Sequence, residues 1–151
     1  MDRQRRRVVT FGEAMVRLTP PGNERIERTR SLDLSPGGAE LNAGVTLVCL
    51  GYDVRYVTKL PDNPVGRYLV RCAREAGVDT SLIQLAPESE GRCGLYFLEE
   101  GTDPRPSAVV DWSAGRERSN LPHHATGAKE AFFHWVSTQA PRQSSPRLLR
   151  T

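Results

Sequence analysis

The stretch Pro36-Gly37-Gly38-Ala39-Glu40-Leu41-Asn42 decides how this chain folds. Two consecutive glycines stand at the head of a helical pattern, in which Leu41, Val45, Val48 and Cys49 fall on one apolar face. Glycine lets the backbone approach a ligand closely, and the exposed N–H groups of a first helical turn favour an anionic or hydroxyl-rich group. Asn42 adds a donor and an acceptor suited to sugar hydroxyls. Glu40, in the first turn, complements the helix dipole. By itself a Gly-Gly pair before a helix also reads as a plain tight turn, so its neighbours have to separate the two.

Towards the N-terminus, residues 8–12 form a β-branched run ending at a glycine and predict a buried strand. Residues 16–18 predict a second short strand, ended by Pro20-Pro21-Gly22. Residues 23–35 are polar and turn-rich, the pattern of a surface hairpin or flap. Towards the C-terminus, Gly51 stands where a helix-ending glycine belongs. Residues 54–58 predict a strand and Pro61-Asp62-Asn63-Pro64 a turn. Residues 65–76 predict a second amphipathic helix, with Leu69, Cys72, Ala73 and Ala76 on one side and Gly77 as its stop. Strand-like runs follow at 81–85, 94–98 and 107–112. Strands alternating with helices over short connections predict an α/β sheet with right-handed crossovers. The flap and the later strands break that rhythm and predict a small second sheet.

Composition sets outer limits. The 151 residues are 38% hydrophobic and 26% charged, ordinary values for a globular domain. No apolar run reaches the roughly 18–20 residues that span a bilayer, and the basic start lacks a signal-peptide pattern. The expectation is a cytoplasmic protein with no membrane partner. The net charge of +3 is uneven: residues 1–112 carry 15 Lys+Arg against 16 Asp+Glu, and residues 113–151 carry 6 against 2. Basic ends around a near-neutral body do not make the basic stripe of a nucleic-acid face, and no nucleic-acid partner is expected. Cys49, Cys72 and Cys93 are widely spaced with no CxxC pair, and His123, His124 and His134 lack an accompanying ligand set. No metal or disulfide is expected; Cys49 and Cys72 read as buried, inert thiols on apolar helix positions.

An ordered set of motifs then narrows the class. Phe11-Gly12-Glu13 ends the first strand, Gly37-Gly38-Ala39-Glu40-Leu41-Asn42 opens the helix, and Leu50-Gly51-Tyr52-Asp53-Val54 follows. Asp62 with Gly66, Ala76-Gly77-Val78-Asp79 and Gly94-Leu95-Tyr96 complete it. From about residue 8 to 110 the chain resembles the PfkB (ribokinase-like) carbohydrate kinases, and its glycine motif resembles that of 2-keto-3-deoxygluconate kinases. The resemblance implies a ribokinase-like α/β fold, here truncated: a Rossmann-type sheet with helices plus a small β-sheet lid, built from strands at about 16–35 and 94–112. It implies ATP-dependent phosphorylation of a sugar or sugar acid, with ATP and Mg2+ as cofactors of the full-length family. Many members dimerise through the lid, so a homodimer of that kind is a partner to expect beside the small-molecule sugar. Gly37, Gly38 and Asn42 are expected to touch the sugar. Tyr96 reads either as a sugar contact or as a lid-core aromatic, and Glu13 either as a site acid or as a solvated or capping one.

The departures carry as much information. The family usually places an Arg where this chain has Ser113, before Ala114-Gly115, which weakens the expectation of a carboxylate-binding contact. Phe132-Phe133-His134-Trp135-Val136-Ser137 resembles the next core strand, but residues 138–151 are rich in Pro, Ser, Gln and Arg and read as a disordered tail. A frameshift or premature stop after Ser137 would produce that pattern, dividing the chain into a family domain at 1–137 and a tail at 138–151. No Gly-Ala-Gly-Asp motif, which in the family supplies the catalytic base and anion hole, occurs in the sequence, nor does a Walker-type loop. The expectation is a sugar-kinase fragment inactive alone, with no catalytic residue and no bound cofactor of its own. The alternative is a non-enzymatic sugar-binding or lid-dimerising module.

Overall fold

The computed structural model describes residues 6–87, 89 and 92–111. In chain order the elements are β1 (Arg7–Phe11), β2 (Met15–Thr19), β3 (Asp33–Gly37), α1 (Ala39–Cys49), β4 (Asp53–Pro61), α2 (Pro64–Glu75), β5 (Ile83–Ala86), β6 (Gly94–Glu99) and β7 (Ala108–Asp111). They form two sheets. Strands β1, β4 and β5 lie parallel in that order, and α1 and α2 supply the connections that parallel strands need. Val54, Tyr56, Val57, Thr58 and Leu60 of the middle strand are all buried, the near-continuous apolar run of a parallel strand. The ion pair between Arg55 Nε and Asp79 Oδ2, 3.1 Å apart, fastens the end of α2's connection beside β4.

Local chemistry places each helix. Asn63 caps α2 by accepting the Gly66 N–H on its side-chain oxygen at 2.9 Å, with Pro64 at the first helical position. Gly51 and Gly77 follow the two helices at positive φ, as the sequence suggests. α1 departs from the expected face. Gly44 lies so close to β1 that a Cβ there would stand 3.1 Å from Thr10 Oγ1. The buried seam of α1 therefore runs through Leu41 and Gly44, and Cys49, expected in the core, is turned off that seam and exposed. Cys72 is half-buried on α2.

The second sheet has the order β3-β2-β6-β7, antiparallel except for the parallel β2–β6 pair. It occupies the segments expected for the lid. The last residues of the flap, with Pro36 and Gly37, form the edge strand β3 of this second sheet. Proline is tolerated there because an edge strand has one side free of ladder bonds. The two sheets share one core, since Val16 of β2 packs in the same buried cluster as Val54, Tyr56 and Leu69. Tyr68 Oη on α2 donates to the Leu34 carbonyl at 2.9 Å and ties β3 to the helical layer. Trp112, Ser113, the apolar run 132–137 and the tail 138–151 lie outside the described residues.

Candidate functional site

Two connections between the sheets converge on one place. The first is Gly12-Glu13-Ala14, between β1 and β2; the second is Gly38, between β3 and α1. The first is held from below: Gly12 N–H donates to the Val57 carbonyl at 3.3 Å, and Tyr56 Oη donates to the Gly12 carbonyl at 3.0 Å. Gly38 takes φ 118°, a conformation open to glycine and strained for other residues. A Cβ there would also stand 2.4 Å from the Glu13 carbonyl oxygen, so the two connections touch.

The lid contributes the opposite wall. Met15, the first residue of β2, is flanked in register by Gly37 and Gly94, neither with a side chain. Into that space come the Tyr96 ring, whose Oη would be 2.8 Å from a Cβ on Gly37, and the Glu13 carboxylate, whose Oε1 would be 2.9 Å from a Cβ on Gly94. Glu40 folds back over Gly12, where a Cβ would meet its carboxyl carbon at 2.3 Å. Glu13, Gly37, Gly38 and Tyr96, all singled out from the sequence, are thus brought together. Asn42 is placed differently: exposed, it lines a cleft of about 350 Å3 between α1 and α2, with Pro36, Thr46 and Cys72.

Donors and acceptors are segregated around this junction. No side chain caps α1 at Gly38, in contrast to the Asn63 cap of α2, so the first-turn N–H groups of α1 are donors for an outside partner. Glu13 and Glu40 supply acceptors. Their charge is felt by the buried Tyr56, whose phenol is raised well above its ordinary range, first by burial and then by the two carboxylates. Cys93, beside Gly94, is pushed up to about 11 by burial and by the charge of Glu13, and stays a neutral thiol at physiological pH. Such a site can hold a polyhydroxylated molecule, with carboxylates accepting from hydroxyls and the helix turn donating. Among the described residues no three His, Cys, Asp or Glu side chains cluster to hold a metal ion, and no helix is long and apolar enough to cross a membrane.

Sequence reasoning missed Glu40 and Gly94 as parts of this place. Glu40 reads only as a dipole-compensating acid, because its contact with Gly12 bridges residues 28 positions apart. Gly94 reads as a strand start; its role depends on the parallel pairing of β2 with β6, which no local pattern announces.

A parallel α/β layer, a four-stranded second sheet and a glycine-lined junction between them make up the described fold. The profile of the pfkB family carbohydrate kinases matches residues 5–146, and the chain belongs to that family. It is similar to a 2-dehydro-3-deoxygalactonokinase of Haloferax volcanii, 42% identical over 103 residues, covering 68% of this chain and 31% of that protein. A 5-dehydro-2-deoxygluconokinase of Shouchella clausii is 39% identical over 94 residues, covering 61% of this chain and 28% of that protein. Among solved structures, the 2-dehydro-3-deoxygluconokinase of Thermotoga maritima superposes with a TM-score of 0.66 at 46% identity, covering 70% of this chain and 32% of that one. The chain spans about a third of the length of these relatives.

Proposed function

We propose that this chain is the sugar-binding part of an ATP-dependent kinase acting on 2-keto-3-deoxygluconate or a closely related sugar acid. The observation that carries the reading is the junction itself, where Glu13, the Gly37-Gly38 turn and Tyr96 meet at an uncapped helix start. The 2-dehydro-3-deoxy and 5-dehydro-2-deoxy sugar-acid kinases among the relatives support this substrate class. In this reading the α1 turn donates to the sugar, Glu13 and Glu40 orient its hydroxyls, and Tyr96 covers the ring or chain from the lid. ATP supplies the phosphoryl group in kinases of this family.

The chain alone is expected to bind the sugar and not to phosphorylate it. Calorimetry with 2-keto-3-deoxygluconate tests the first part, and no heat at millimolar ligand would sink it. An ATP-coupled phosphorylation assay tests the second, and measurable turnover would overturn it. A second reading, a lid-dimerising module, is favoured by one observation. Leu34 and Val110 stand in register on the same face of the lid and are about half exposed, at 50% and 48%.

A further inference from the structure

One side chain on the lid is not used by the site as described. Arg17 on β2 is paired in register with Ser35 on one side and Tyr96 on the other, so all three present their side chains to the same lid face. It lies two residues along β2 from Met15, hence about 7 Å, and on the face that holds Gly37, Gly94 and Tyr96. Its Nε donates to Ser35 Oγ at 3.0 Å. That bond holds the guanidinium on this face of the lid. A guanidinium presents parallel donors that match a carboxylate bidentately. The acceptors lie at the Met15 end of the strand, the Glu13 carboxylate against Gly94 on this same face and the Glu40 carboxylate over Gly12. An acidic sugar therefore has one favourable orientation, hydroxyls towards Glu13 and Glu40 and its own carboxylate towards Arg17, two residues farther along β2.

We propose that Arg17 is the residue by which this chain selects an acidic over a neutral sugar, binding the substrate carboxylate from the lid. The proposal rests on the sugar-kinase reading above. Calorimetry on the 151-residue chain would use 2-keto-3-deoxygluconate and 3-deoxyfructose, its neutral C1 alcohol. The expected result is preference for the acid, reduced about 10- to 100-fold in Arg17→Gln with 3-deoxyfructose binding unchanged, and partly restored in Arg17→Lys. Arg17→Lys keeps the charge and the extended stem, and circular dichroism of each variant checks that the lid is folded. Equal loss for both ligands, or no change for the acid, would overturn the role of Arg17 and leave the sugar-kinase reading standing. Failure of the unaltered chain to bind either ligand would overturn both.

Discussion

At the scale of single residues, the junction depends on positions where a side chain has no room. Gly38 combines φ 118° with a Cβ position 2.4 Å from the Glu13 carbonyl. Gly38→Ala should therefore destabilise the chain by about 1–3 kcal/mol, visible as a lower midpoint in urea unfolding; an unchanged midpoint would refute this strain. Cys93 gives a second handle. Its ordinary thiol value of 9.0 is raised to about 11, so its thiolate is scarce until pH approaches that value. Iodoacetamide modification followed by mass spectrometry should show Cys93 reacting only near pH 11, with exposed Cys49 as the fast internal comparison. Glu13→Gln should move the Cys93 profile to lower pH, because a negative neighbour is removed. The Gly-Gly pair was legible in the sequence because glycine before a helix is a local signal. The crowding that makes Gly38 necessary was not, since it comes from Glu13, 25 positions away.

At the scale of elements, most strands and both helices were legible from local patterns, whereas β3 as a strand and the buried face of α1 were not. β4 is continuous and apolar and its existence follows from composition, although it runs on to Pro61. β3 contains Asp33, Pro36 and Gly37, poor strand formers, and exists because β2 offers it a ladder. The far end of the lid is pinned by a single side chain. Arg105 Nη1 binds Glu99 Oε1 at 2.6 Å, and its Nη2 reaches the carbonyls of Asn23 and Glu100 at 2.8 and 2.9 Å. Glu99 in turn accepts the Ile26 N–H at 3.1 Å. Both partners are largely buried, with side chains 22% and 17% exposed. Arg105→Ala should lower stability by about 1–3 kcal/mol, since it strands a half-buried carboxylate. Amide exchange at Ile26 should accelerate at the same time; unchanged exchange there would show that Glu99 does not depend on Arg105.

At the scale of the whole molecule, the two-sheet architecture was legible from the break in strand–helix alternation, and the family from the order of its motifs. The way the sheets meet was not, because it depends on chain crossings and not on any segment's own pattern. The lid presents Leu34, Val109 and Val110 at 50%, 65% and 48% exposure. Apolar residues gathered on one small sheet favour association. Sedimentation equilibrium should show a dimer at micromolar concentration that Leu34→Lys with Val110→Lys converts to monomer. A monomer throughout would remove the lid-dimerising reading.

The contact between Gly38 and Glu13 has a mechanical consequence. Two of the three crossings between the α/β layer and the lid, β1 to β2 and β3 to α1, pass through points that touch, and these points make a fulcrum shared by those two connections. Any tilt of the lid about it leaves the Gly37-Gly38 floor almost stationary and sweeps the Glu99–Arg105 corner through the widest arc. In the proposed reading, a sugar seated there would rest on nearly fixed backbone, while groups farther out along β2, Arg17 among them, would move with any tilt of the lid. Affinity at the floor and discrimination beneath the lid would then be set by different degrees of freedom of one chain.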